Sequence, residues 1–311
     1  MVRLFDMQSQ KKITCQEVCD LLNADRGNKF DESSYRKYYR AFEDGRRYEL
    51  KQQNKEVMVK MLAISDLHFP YQLPKELFNE YVGMIDVLIL NGDLLDMKEI
   101  SKFERSYRQS PMDDIINGRD YIMSLIDYIH PKGVIVNYGN HDLRFQKYFS
   151  KHLDTDLVEL MPMTPLELIF EDGFNHYDKE SRSKVFYEPL SKAFDDIDIE
   201  YTGSWWCKVG KTIFAHPSAY SSSMLKTTEK AVNYFFRVES DFDTVVLAHT
   251  HKLGQYIQGG VHMFEQGAAC YVDRMKYADG KLIIPSQRGA LYLCQDKNGS
   301  LIYDRCKLIE L

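Results

Sequence analysis

The run Ile85-Asp86-Val87-Leu88-Ile89-Leu90 ends abruptly in Asn91-Gly92-Asp93-Leu94-Leu95-Asp96. A short, nearly continuous apolar run bounded by turn residues reads as a buried strand. Asp93 then stands just past the strand's carboxyl end, where open α/β sheets place their ligands. A carboxylate there can offer one oxygen to each of two cations. Such a bridge needs partners on neighbouring strand ends.

Those partners recur along the chain. Val57 to Ile64 is strand-like and leads into Ser65-Asp66-Leu67-His68; Val134 to Tyr138 leads into Gly139-Asn140-His141-Asp142. Lys211 to Ala215 ends at His216, and Thr244 to Ala248 ends at His249-Thr250-His251. Helical patterns lie between, at Lys75–Val82, Asp114–His130 and Met224–Arg237. Strands alternating with helices at this spacing imply a mainly parallel sheet. Ile199–Val209 and Lys211–Ala215 flank Gly210 and read as a hairpin. Val261–Phe264, Ala290–Cys294 and Leu301–Tyr303 read as short strands completing a second sheet. Residues 143–200, with helix-like pieces at Thr164–Phe170 and Glu188–Phe194, read as a lid or insertion near the site.

Nitrogen and oxygen donors without thiolate suit Mn, Fe, Zn or similar ions. In an extended segment, residues two apart point the same way, so Asp66/His68 and His249/His251 can each aim two donors at one locus. His130, His152, His176 and His262 follow no such pattern and read as surface or core residues.

Residues 1–56 are of another kind. Thr14-Cys15-Gln16-Glu17 is a capping box. The short helix after it presents Cys15, Val18, Leu21 and Leu22, and Asn23–Lys29 reads as a loop. Asp31 caps a second helix with Tyr35, Tyr38, Tyr39 and Phe42 on one stripe. Arg36, Lys37 and Arg40 fall largely off that stripe, and Arg46 and Arg47 follow Gly45. From Arg26 to Lys60 there are 10 Lys/Arg against 6 Asp/Glu, within a chain of net charge −6. Two readings follow: a helix-turn-helix-like nucleic-acid reader using those five basic residues, or a helical cap or oligomerisation arm with a solvated charged face. The six cysteines are scattered without a CxxC pair, and no apolar run reaches membrane-spanning length, so a reduced cytoplasmic protein is expected.

Taken together, Asp66-Leu67-His68, Gly92-Asp93-Leu94-Leu95-Asp96, Gly139-Asn140-His141-Asp142, His216 and Ala248-His249-Thr250-His251 resemble the ordered motifs of calcineurin-like metallophosphoesterases. The resemblance covers about Met58 to Leu293. It departs at Ala248, where that family usually has Gly. It implies an α/β fold, a four-layer αββα sandwich, here with a small N-terminal helical module. It also implies two divalent ions, manganese first among Mn, Fe, Zn and Ni. Asp66, His68, Asp93 and His251 would hold one; Asp93, Asn140, His216 and His249 would hold the other. A water activated between such ions attacks phosphorus in line. His141 would serve the phosphate and leaving oxygen, Asp96 would orient an imidazole or close a turn, and Asp142 has either a similar or a purely structural part.

Protein phosphatases of this superfamily carry Asp-Arg-Gly and Arg-Gly-Asn-His at places where this chain has Asp96-Met97-Lys98 and Asn137-Tyr138-Gly139-Asn140-His141. A protein substrate is therefore disfavoured, and the phosphodiesterase and DNA-repair-exonuclease branches are closer. With the basic arm, the expectation is a nuclease acting on a nucleic-acid phosphodiester. A small or cyclic nucleotide is the alternative substrate, and a catalytically silent nucleic-acid-binding protein is the reading of another class. Tyr107, Tyr138, Trp205, Trp206 and Tyr220 are candidates to stack bases, with core packing the expectation for most of them.

Overall fold

The computed structural model describes residues 2–26, 31–53, 56–101, 110–178, 181–223, 225–274 and 286–311. The chain divides into two compact units, Met1–Glu56 and Val57–Leu311.

The first unit holds α1 (Val2–Ser9), α2 (Cys15–Arg26) and α3 (Glu32–Gln53). The capping box forms: Thr14 N donates to Glu17 Oε2 at 2.6 Å, and Glu17 N donates to Thr14 Oγ1 at 3.2 Å. Asp31 caps α3 by accepting from Ser34 N at 2.8 Å. Phe5, Val18, Cys19, Leu22 and Tyr35 make the core, with Tyr39 and Phe42 against it. Two expectations change here. Asn23–Arg26 continues α2 where a loop was expected, and residues 27–29 of that loop lie outside the described residues. Leu21 and Tyr38 are half-exposed, while Phe5 of the unforeseen α1 takes up core space.

The second unit is built on two sheets. β1 (Val59–Ile64), β2 (Val87–Asn91), β3 (Gly133–Asn137) and β6 (Asp198–Tyr201) run parallel. β12 (Gly289–Gln295) pairs antiparallel with β1, and β13 (Lys307–Glu310) with β12. The order is β13-β12-β1-β2-β3-β6. The second sheet contains β7 (Trp206–Val209), β8 (Thr212–Ala215), β9 (Thr244–Leu247), β10 (Leu253–Gln258) and β11 (Val261–Gln266), in the order β10-β11-β9-β8-β7. Met61, Ala63, Ile89, Phe214, Val246, Phe264, Leu291 and Leu293 pack between the sheets. The outer face of the first sheet carries α4 (Pro111–Ile129), through Ile115, Ile122, Leu125 and Ile126. The outer face of the second carries α8 (Lys226–Val238), through Ala231, Val232 and Phe235. Helix, sheet, sheet, helix is the four-layer αββα sandwich. Each fully buried Leu or Ile in these layers contributes about 1.5–3 kcal/mol.

Between β3 and β6 lie α5 (Arg144–His152), α6 (Thr155–Val158), α7 (Pro165–Glu167), and a hairpin of β4 (Phe174–Asp178) and β5 (Ser183–Tyr187). The expected hairpin Ile199–Val209 with Lys211–Ala215 is corrected. Residues 202–205 break the first arm, so β6 joins the first sheet while β7 pairs with β8. Ala290–Cys294 belongs to the first sheet, not the second, and Leu301–Tyr303 is no strand: Leu301 makes a single bridge to Gln295, and a 3₁₀ turn begins at Tyr303.

Candidate metal centre

The parallel strands deliver their carboxyl ends to one edge of the sandwich. After β1 and β2 the chains zip together: Asp66 N donates to Gly92 O at 3.0 Å, His68 N to Asp93 O at 3.0 Å and Asp96 N to Phe69 O at 3.1 Å. Asp66, His68, Asp93, His249 and His251 all have left-handed backbones, with φ of 53°, 46°, 51°, 73° and 50°. A non-glycine residue held there costs roughly 1–3 kcal/mol, and such strain gathers at functional sites. The expectation of extended pairs is corrected accordingly. Left-handed turns, not extended strands, aim Asp66 and His68. His249 and His251 part company, His251 joining Asp66 and His68 while His249 joins Asp93 and His216.

The side chains converge closely. His251 Nε2 lies 3.0 Å from Asp66 Oδ1 and 3.1 Å from His68 Nε2. His68 Nε2 is 3.8 Å from Asp93 Oδ2, and His216 Nε2 is 3.2 Å from the same oxygen. Two neutral imidazoles cannot turn lone pairs on one another at that distance without a proton or a cation between them. His216 Nδ1 faces the Asn91 carbonyl at 2.8 Å. In the neutral ring, donation to that carbonyl leaves Nε2 as a lone pair aimed at Asp93, and among the described residues the buried Nε2 has no hydrogen-bond partner. Asn140 Oδ1 is likewise buried, with no hydrogen-bond partner among the described residues. Convergent carboxylates, imidazole lone pairs and an orphan amide oxygen, with no thiolate among them, fit divalent ions of the Mn, Fe and Zn kind.

Electrostatics agree. Burial works against the charged form of Asp66, but the His251 and His216 rings outweigh it and hold the carboxyl well below the usual range. Burial also opposes protonation of His68, yet its hydrogen bonds to Asp66 and Asp96 raise it to about 10. His216 rises to about 9 against burial, through the charges of Asp93 and Asp66. Burial and the neighbouring His216 lower His249 to about 4. Protons thus occupy positions that a cation can fill.

Asp96 sits beside this cluster. Its Oδ1 is 2.8 Å from His141 Nδ1 and 3.5 Å from His68 Nδ1. With Nδ1 turned to Asp96, His141 directs Nε2 toward Asp93 Oδ2, 4.0 Å away. Burial, the largest influence, lowers the His141 imidazole below its ordinary value despite the nearby Asp93 charge. Asp142 is fully buried and touches backbone: its carboxylate accepts Asp93 N at 2.9 Å, Gly139 N at 2.8 Å and Leu95 N at 3.4 Å.

Beneath the site a buried amide network joins the sheets. Asn137 Nδ2 donates to Asn91 Oδ1 at 2.9 Å and Phe214 O at 3.2 Å; Asn91 Nδ2 donates to Ala215 O at 3.3 Å and Gln266 Oε1 at 3.1 Å. Sequence reading missed this network, and it missed Arg144, whose Nη2 is 3.1 Å from His141 Nε2. The signal available for Arg144 was its place three residues after His141 at the opening of a helix.

The remaining sequence candidates are placed as follows. Arg36, Lys37, Arg40 and Arg46 are exposed on α3 of the first unit, and the Arg47 side chain lies outside the described residues. Tyr107 also lies outside them. Trp205 and Trp206 pack on Phe235 at 5.7 and 5.3 Å. Tyr138 is partly buried against the first sheet's core, and Tyr220 is half-exposed with its ring 6.0 Å from that of His249.

Comparison with known proteins divides the chain at the same place as its packing. A family described as YonJ N-terminal domain matches residues 1–54, and one described as Calcineurin-like phosphoesterase matches residues 59–253. No curated protein matches significantly. Among solved structures, Vacuolar Protein Sorting 29 from Cryptosporidium parvum is similar over 82% of this chain and 99% of its own, at 16% identity and a TM-score of 0.40. A novel archaeal phosphodiesterase is similar over 81% and 99%, at 14% identity and a TM-score of 0.37. Wild-type Vps29 complexed with zinc, from Entamoeba histolytica, is similar over 81% and 98%, at 14% identity and a TM-score of 0.39.

Proposed function

The chain belongs to the calcineurin-like phosphoesterase family and is a metal-dependent phosphoester hydrolase, and we propose that its ester is a phosphodiester of nucleic acid. The observation that carries the metal reading is Asp93 Oδ2, which stands between His68 Nε2 at 3.8 Å and His216 Nε2 at 3.2 Å. On this reading Asp66, His68, Asp93 and His251 hold one ion, and Asp93, Asn140, His216 and His249 hold a second, with manganese the first candidate among Mn, Fe, Zn and Ni. When bound, divalent ions supply Lewis acidity to the phosphoryl oxygens and lower the pKa of a water.

The chain's own residues do the rest. Asn91 O fixes the His216 tautomer, so a lone pair faces Asp93. Asp142 holds the backbone of Asp93 and Gly139 in register. Asp96 takes the Nδ1 side of His141 and leaves Nε2 to face the leaving oxygen, where a hydrogen bond or proton is needed. Support for a nucleic-acid substrate comes from the exposed Arg36, Lys37, Arg40 and Arg46 and from the missing protein-phosphatase arginines around Asp96 and Asn140.

The test is a panel with Mn²⁺: a labelled oligonucleotide, bis(p-nitrophenyl) phosphate, cyclic nucleotides and p-nitrophenyl phosphate. Cleavage of the oligonucleotide is expected, lost in EDTA and in Asp93→Asn. An intact oligonucleotide beside a hydrolysed cyclic nucleotide would transfer the function to small substrates.

A further inference from the structure

Arg144 opens α5, and its guanidinium reaches back over the Asp96–His141 pair. Nη1 donates to the Asp96 backbone carbonyl and lies 3.5 Å from Asp96 Oδ1, while Nη2 lies 3.1 Å from His141 Nε2. Nε2 is the His141 nitrogen turned toward Asp93, because Nδ1 is committed to Asp96. The guanidinium therefore stands at the edge of the volume that a phosphoryl group must enter. Its side chain keeps 18% exposure, so it is anchored without being sealed off. Guanidinium carries five N–H donors in a planar fork, and the contacts above leave donors over. That fork matches two oxygens of one phosphate, and an anchored cation loses little freedom on binding it. A second cation near the site, Lys252, is committed elsewhere: Nζ donates to Ser221 O, Ser222 O and Ser223 O at 2.9, 2.9 and 3.0 Å.

We propose that Arg144 binds the non-bridging oxygens of the substrate's phosphoryl group, exchanging its contact with the His141 Nε2 lone pair for the phosphate; the freed Nε2 takes up a proton from solvent and hands it to the leaving oxygen. The inference rests on the phosphoester reading. It assigns to Arg144 a contact with substrate, over and above support of Asp96.

The test uses the full chain with Mn²⁺ and compares wild type, Arg144→Gln, Arg144→Lys and His141→Gln. Readouts are kcat and KM on bis(p-nitrophenyl) phosphate and the affinity for inorganic phosphate by calorimetry. Arg144→Gln is expected to weaken phosphate binding and raise KM about tenfold or more, with Arg144→Lys between it and wild type. His141→Gln is expected to lower kcat and leave phosphate affinity nearly unchanged. If Arg144→Gln reproduces the His141→Gln pattern, Arg144 only positions its neighbours and the proposal falls. It falls equally if wild type binds no phosphate. Phosphate binding that depends on Arg144 in a chain that hydrolyses no ester keeps this inference and overturns the hydrolytic one. Circular dichroism and thermal melts confirm that each variant is folded, and Arg144→Lys carries the test if Arg144→Gln is not.

Discussion

Asp142 grips Asp93 by its backbone: the buried carboxylate accepts the Asp93 N–H at 2.9 Å and, with the same oxygen, the Gly139 N–H at 2.8 Å. A carboxylate two residues beyond a candidate metal-binding amide is thus a brace between two loops. Asp142→Ala strands these N–H groups and that of Leu95 in a buried place. Each orphaned donor costs about 1–3 kcal/mol, so the variant is expected to lose about 3 kcal/mol or more of stability, read by urea denaturation. A loss within about 0.5 kcal/mol would show that the brace is dispensable.

Gly139 is required by contact. A Cβ there would overlap Asp93 Oδ1 and Asp93 N, which are backed by the Asp142 brace. Gly92, at φ 81°, is similarly confined, since its Cβ would meet His216 Nδ1 at 2.6 Å. Gly139→Ala is expected to cut Mn²⁺ affinity and phosphoesterase activity by about 10- to 100-fold, as loss of the groups that orient metal ligands does. Calorimetry and hydrolysis of bis(p-nitrophenyl) phosphate measure the two losses separately, and near-normal Mn²⁺ binding would contradict the contact argument.

Metal should stabilise the fold, because the donors come from segments far apart. At a concentration of 100 Kd a single ion adds about 2.7 kcal/mol. Mn²⁺ is expected to raise the melting temperature and EDTA to lower it, with the shift largely lost in Asp93→Asn. An identical melt with and without Mn²⁺ would count against the donor set.

Asp114 supplies a pH dependence away from the metal donors. It is buried on α4, and burial, with the Glu99 carboxyl alongside it, pushes it up to about 8. An unfolded Asp ionises near 3.9. As pH rises from about 4 to about 8 the unfolded chain sheds this proton while the folded chain keeps it, so stability falls across that window and levels off above it. Asp114→Asn removes the effect. The variant is expected to gain on wild type by about 1 kcal/mol or more between pH 5 and pH 8, measured by paired denaturant titrations. Parallel pH profiles would refute the assignment.

Legibility in the sequence followed locality. β2 and β3 were readable because apolar runs bounded by glycine leave little choice of state. The convergence of Asp66, Asp93, His141, His216 and His251 could be anticipated because each follows a strand end within four residues. The break between β6 and β7 was not, since the Thr202–Trp205 turn lies inside a stretch of strand-like composition. β10 escaped because it is an exposed edge strand with polar and glycine positions, and β12 was assigned to the wrong sheet because pairing across more than 200 residues leaves no local trace. The amide network of Asn91, Asn137 and Gln266 was invisible for the same reason, as three polar residues in apolar runs look like interruptions until two sheets face each other.

The two donor groups are each drawn from both sheets. Asp66 and His68 meet His251 across 185 and 183 residues of chain, and Asp93 meets His216 and His249. No partly synthesised chain that stops short of β9 holds either group whole. Nor does a chain in which one sheet has formed and the other has not. Loading with metal is therefore expected late on the folding path. Closing these long loops costs entropy before any coordinate bond repays it. A chromophoric ion such as Co²⁺, added during refolding, would time the meeting of the two sheets directly.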